Sequence, residues 1–263
     1  MTTRTYALRD SRTMLRRNLR RMTRYPVAAM TVIGIPVVFL LLFVYVFGET
    51  LGAGLGGVSG GRADYVHFVT PGILLIAIAG STQGTAISVA MDMNEGIIAR
   101  FRTMAIARAS VLNGHVIGNM IQTLLGLAAV IGVAFLVGFR PTAGPVEWLA
   151  AIGLLTLLTL ALTWLSVAFG LVAKNVESAS NLPLPFLLLP FLGSGFVPTE
   201  GMPTAMRWFA EYQPFTPVID TLRGLLLGAP IGGQGLLAVG WSAGIGLVAY
   251  LWANRLYSRD PVR

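Results

Sequence analysis

Six uncharged apolar runs divide the chain, at about 27–47, 68–90, 116–138, 148–172, 178–198 and 235–253. Crossing roughly 30 Å of hydrocarbon at about 1.5 Å per residue takes about 20 apolar residues, so each run predicts a membrane-spanning helix. Between the second and third runs the pattern changes. At a helical turn of about 100° per residue, "NEGIIARFRTMAIAR" (94–108) puts Ile97, Ile98, Phe101, Met104 and Ala105 on one face, flanked by Arg100 and Arg102. Asp92 and Glu95 have the D-x-x-E spacing of a capping arrangement, and Asn113-Gly114 offers a stop. The pattern predicts a short amphipathic helix over 92–108. It either lies on the lipid surface or docks as a lever on a cytoplasmic partner.

Leu8, Leu15, Leu19 and Met22 recur with helical spacing among arginines, which predicts an amphipathic interfacial helix over 1–26. A basic start before an apolar run is also the pattern of a signal peptide. The run over 27–47 is too long for a signal core, so an uncleaved first span is expected. The fifth run, "NLPLPFLLLPFLGSGFVP", carries Pro183, Pro185, Pro190 and Pro198, each removing a backbone donor. Such a span survives in a membrane only where protein or water satisfies the freed carbonyls.

Charge placement sets the orientation. An even number of spans puts both termini on one side. The segments on that side hold fifteen Lys and Arg, against four (Arg62, Arg140, Arg207, Arg223) on the other. The positive-inside rule makes both termini, and residues 92–108, cytoplasmic. The chain's net charge of +8 is concentrated by eight arginines in its first 24 residues, directly before a span. That placement reads as topology signal and lipid-headgroup contact, not nucleic-acid binding. With 55% hydrophobic and 11% charged residues, the fold class is an all-α polytopic membrane protein.

Several chemistries are excluded. Cysteine is absent, which removes thiolate metal sites and cysteine nucleophiles. The only lysine, Lys174, follows Ala173, so no phosphate-binding G-x-x-x-x-G-K-[ST] loop can be built. His67 and His115 fall on opposite sides, each reading as interfacial, and no metal site is expected. Ser194, in "GSG", has no histidine at its depth and reads as a small packing residue. The spans contain no ionisable group, which disfavours an ion-coupled carrier working alone, the alternative function. Thr82, Gln83 and Ser88 in the second span, with Asn119, Gln122 and Thr123 in the third, either line a substrate pathway or hydrogen-bond between helices.

The stretch "LPLPFLLLPFLGSGFVPTEGMPTAMRWFAEYQPFTPVIDTLRGLLLG" (182–228) resembles the membrane subunits of ABC type-2 exporters, especially the daunorubicin-resistance permease group. Phe196, Pro198, Met202, Pro203, Ala210, Pro214, Thr216, Asp220, Arg223 and Gly228 fit that group's order. "YVHFVTPGILL" (65–75) looks like the family's start of the second span. "NEGIIARFRTMAIAR" is similar to its coupling helix, with Ala105 where the family commonly has proline.

The resemblance implies a transmembrane domain over 27–254, with re-entrant outer helices over 199–228 and a cytoplasmic tail over 255–263. It implies that Asp92, Glu95, Ile97, Ile98, Arg100, Phe101, Arg102 and Met104 meet a cytoplasmic ATPase dimer that carries the ATP and magnesium. A second permease chain, identical or different, would complete the pathway in a bacterial inner membrane. Pro198, Met202, Pro203, Pro214, Thr216, Asp220 and Arg223 would shape the outer helices, with Asp220 and Arg223 paired at i, i+3. The implied function is efflux of a hydrophobic or amphipathic compound, without catalysis in this chain.

Overall fold

The computed structural model describes residues 26–55, 61–94 and 108–258. Residues 1–25, on which the N-terminal amphipathic helix is expected, residues 95–107 of the charged loop and the last five residues lie outside the described residues. Among the described residues the chain is helical, without strands.

The first span is α1 (Pro26–Leu42), which runs through a π-helical turn (Phe43–Phe47) into α2 (Gly48–Ala53). Then come α3 (Arg62–Asn94), α4 (Arg108–Val137) and α5 (Pro145–Val172). Two short helices follow, α6 (Val176–Asn181) and α7 (Leu184–Leu188). A 3₁₀ turn (Thr199–Gly201) leads to α8 (Thr204–Tyr212), α9 (Phe215–Leu227) and α10 (Gln234–Ser258).

Five helical stretches among the described residues are long and apolar enough to cross a membrane, where the hydropathy pattern predicts six. The difference lies in the fifth run. Pro183 and Pro185 confine α7 to a single turn and a half, and from Leu189 to Phe196 the chain continues in turns. Each proline deletes a donor and clashes with the preceding turn, so the apolar composition persists without a continuous helix.

α3 is the central element. Of its most apolar 18-residue window 72% is buried, against 22% in the first and last spans. It packs against α1, α4, α5, α6, α7 and α9, while α5 packs along α10. The main core joins Leu40 of α1 and Val44 of the π-helical turn to Ile73–Ile78 of α3, Val130 and Ala134 of α4, and Phe215, Ile219 and Leu222 of α9. A second cluster, of Val89, Leu112, Val116, Trp164, Val167, Ala253 and Tyr257, gathers at the Asn94 end of α3. Threonines and a serine on α5 are absorbed locally: Thr159, Thr163 and Ser166 each donate to the carbonyl four residues back at 2.7 Å. The outer faces of α1 and α10 expose Val38, Val46, Leu236, Leu247 and Val248, apolar surface suited to hydrocarbon or a second chain.

Candidate functional site

Two polar constellations stand out, at opposite ends of α3. Phe68 and Asp92, which mark them, are separated by 24 residues of helix, roughly 36 Å at 1.5 Å per residue.

The first is centred on Arg223. α9 starts at Pro214, whose fixed φ suits a helix start, and ends at Gly228, whose φ of +73° closes the helix in the left-handed conformation. Helical spacing brings Arg223 to Asp220, and Nη1 donates to Oδ1 at 2.8 Å. The other terminal nitrogen, Nη2, donates to the carbonyls of Ser194 at 2.8 Å and Phe68 at 3.2 Å. The guanidinium also stands 4.0 Å above the Phe68 ring. Ser194 Oγ completes the set by donating to Asp220 Oδ1 at 2.7 Å. One ion pair therefore joins α9, the broken fifth run and α3.

Neighbouring contacts serve the same junction. Gln213 Nε2 donates to the Leu189 carbonyl at 3.1 Å and to Thr216 Oγ1 at 3.0 Å. Tyr65 donates its hydroxyl hydrogen to the Phe196 carbonyl at 3.1 Å. These bonds satisfy carbonyls that the non-helical run over 189–196 would otherwise bury unpaired. A Cβ on Gly72 would lie 2.7 Å from the Gly195 carbonyl oxygen, so the glycine there admits a close backbone crossing. Pro198 and Pro203 precede the 3₁₀ turn and α8 as their cap residues. Met202 is half-buried, its amide donating to the Thr199 carbonyl at 3.1 Å. α8 buries only Ala210 and holds Trp208 and Tyr212 outward, with Arg207 and Glu211 paired at 2.6 Å on its exposed side.

The second constellation lies at the other end. Asp92 belongs to the last turn of α3, which runs to Asn94, and is not the cap of a new helix beginning at residue 92. Its carboxylate lies 3.0 Å from His115 Nε2, and both side chains are 5% exposed. His115 is thus a buried, paired histidine and not an interfacial one. The uncharged stretches 68–90 and 116–138 stop just short of both groups, because α3 and α4 extend beyond the apolar runs. Of the other residues assigned to ATPase coupling, Glu95, Ile97, Ile98, Arg100, Phe101, Arg102 and Met104 lie outside the described residues.

The polar residues of the second and third spans are used mainly within the chain. Thr82 is 3% exposed and donates to the Ala79 carbonyl at 2.5 Å. Gln83 donates to the Ser180 carbonyl at 3.1 Å, tying α3 to α6, and Asn119 donates to Thr163 Oγ1 at 2.9 Å, tying α4 to α5. Thr123 is 1% exposed, with a buried hydroxyl that makes no hydrogen bond. Ser88 and Gln122 are half-buried. At the Phe68 end, His67 Nε2 accepts from the Arg140 amide at 3.0 Å while Nδ1 lies 2.7 Å from the Ala63 carbonyl. Among the described residues no three His, Asp or Glu side chains gather as a metal site would require.

The resemblance over 182–228 singled out Asp220 and Arg223, and their i, i+3 spacing allowed the pairing; Ser194, read as a small packing residue, and Gln213, Tyr65 and Phe68 were missed. Ser194 carries no local signal beyond its setting between glycines. Its role arises from a contact with a residue 26 positions away.

A helical bundle built on a buried second span, with a broken segment and two short helices packed against it, is the architecture of a multispan membrane protein. Residues 9–227 match the family model described as "ABC-2 type transporter", and the chain belongs to that family. It is a membrane-spanning permease of an ABC transporter. The chain is 28% identical over 205 residues to the daunorubicin resistance ABC transporter permease protein DrrB1 of Streptomyces coeruleorubidus, covering 78% of this chain and 70% of the relative. It is 28% identical over 239 residues to the probable doxorubicin resistance ABC transporter permease protein DrrC of Mycobacterium tuberculosis, covering 90% and 85%. A more distant likeness, 25% identical over 172 residues, is to ABC transporter G family member 20 of Dictyostelium discoideum, covering 63% of this chain and 23% of that protein.

Proposed function

We propose that this chain, with a second permease chain, forms the membrane pathway of a bacterial inner-membrane exporter that expels hydrophobic or amphipathic drug-like compounds. A separate dimeric ATPase binds and hydrolyses ATP with magnesium. It delivers force to the cytoplasmic loop that contains Glu95, Ile97, Ile98, Arg100, Phe101, Arg102 and Met104. The second chain is a copy of this one or a related permease. The family match over residues 9–227 carries this reading, because it spans the charged loop and all but the last residue of the 182–228 pattern. The relatives' names, with daunorubicin and doxorubicin resistance, support a drug-like cargo.

Both termini and the loop 95–107 face the cytoplasm in this reading, supported by the fifteen-to-four distribution of basic residues. The broken run over 182–196 then crosses as an irregular span, from Ser180 beside Gln83 to Gly195 beside Gly72, and α8 and α9 at its outer end form the outward-facing cap, held by the Asp220–Arg223 pair. Half-buried Gln83, Ser88, Asn119 and Gln122 are the polar side chains best placed to border the route. Thr82 and Thr123 are enclosed within the chain and do not border it.

Inverted membrane vesicles containing the chain and its cognate ATPase test this directly. ATP-dependent uptake of doxorubicin is the expected result, abolished when the ATPase is omitted. Uptake by the permease alone, driven by an ion gradient, would overturn the reading.

A further inference from the structure

We propose that Asp92 and His115 are positioning residues that hold the two ends of the loop 95–107 as one unit, so that force on the loop moves α3 and α4 together. The inference rests on the reading that this loop contacts the ATPase. Asp92 lies two residues before α3 ends at Asn94, and His115 lies two turns into α4. Their 3.0 Å contact is a polar link between α3 and α4 beside the base of the loop. Val89, Leu112 and Val116, at helical spacing beside the pair, belong to the apolar cluster with Trp164, Val167 and Tyr257. Burial in such surroundings strengthens a polar contact and makes loss of either partner costly.

The link continues into the bundle. Asn119 follows His115 by four residues and so lies on the same face of α4. It donates to Thr163 of α5 at 2.9 Å, and Thr163 in turn donates to the Thr159 carbonyl at 2.7 Å. Two polar links one helical turn apart on α4, Asp92–His115 and Asn119–Thr163, thus tie α4 to α3 on one side and to α5 on the other.

The test uses the full permease in complex with its ATPase, in proteoliposomes, with one cysteine introduced at Thr142. Thr142 is exposed, lies between α4 and α5 at the far end, and sits in an otherwise cysteine-free chain. The readout is the ATP-dependent change in its reaction with a membrane-impermeant maleimide. The parental complex is expected to show such a change. Asp92→Ala and His115→Ala are each expected to keep the ATPase bound but to reduce the response at least about fivefold. The exchange of Asp92→His with His115→Asp is expected to restore it. Where an alanine variant fails to accumulate, Asp92→Asn and His115→Gln, which keep one hydrogen-bonding atom, are expected to retain the response. Full responses from the alanine variants, or an exchanged pair as impaired as either single variant, would overturn the proposal alone. No ATP-dependent change in the parental complex would bring down the ATPase-coupled reading beneath it.

Discussion

Gly72 of α3 and Gly195 of the broken fifth run meet backbone to backbone. A Cβ added at Gly72 would come within 2.7 Å of the Gly195 carbonyl oxygen and 2.9 Å of its Cα. Neither atom belongs to a side chain that could rotate away, so the two segments would have to separate. Gly72→Ala is therefore expected to destabilise the protein by about 1–3 kcal/mol, as overpacking does in tight cores. Thermal unfolding in detergent would register this as a lower Tm, and an unchanged Tm would show that the crossing is looser than described.

The Arg223 junction makes a second prediction. Asp220→Ala leaves a guanidinium only 17% exposed without its carboxylate, and removes the acceptor of Ser194 Oγ. A loss of about 1–3 kcal/mol is expected, with Ser194→Ala costing about 1 kcal/mol. Because Asp220, Arg223 and Ser194 share partners, the double variant Asp220→Ala with Arg223→Ala should lose less than the sum of the single losses. A double-mutant cycle on unfolding midpoints reads this, and strict additivity would mean that the pair contributes nothing as a pair.

Thr123 offers the opposite sign. Its hydroxyl is buried and makes no hydrogen bond, so Thr123→Val removes a desolvated polar group at nearly constant shape. Stability should stay level or rise by up to about 1 kcal/mol, with doxorubicin uptake into vesicles unchanged. A marked fall in uptake at normal stability would place Thr123 on the cargo route after all.

Orientation can be read with single cysteines, since the parental chain has none. Trp208→Cys, on the exposed face of α8, should react with an impermeant maleimide in intact cells. Met104→Cys, in the charged loop, should react only once the membrane is opened. Labelling of Met104→Cys in intact cells would invert the topology and remove the loop from any cytoplasmic ATPase.

The loop's role as a docking element is checked by reversing its charge and its apolar anchor. Phe101→Glu and Arg102→Glu are each expected to reduce copurification of the ATPase by about tenfold or more, the scale of one interfacial anchor. Equal recovery with the parental chain would leave the loop as a lipid-surface helix.

Apolar runs and the 182–228 pattern made the membrane class, five of the six expected spans and the family legible from residues alone. Hydropathy over about 20 residues measures the cost of leaving water, and that cost depends on composition. The Asp220–Arg223 contact was legible too, because i, i+3 neighbours meet on any helix. Tertiary structure alone decided that the fifth apolar run breaks at its prolines, and that Ser194 and the Phe68 carbonyl both accept from Arg223, 29 and 155 residues away. It alone paired Asp92 with His115 across 23 residues. Those partners are set by which faces of separate helices meet. Packing determines that, and no local periodicity encodes it.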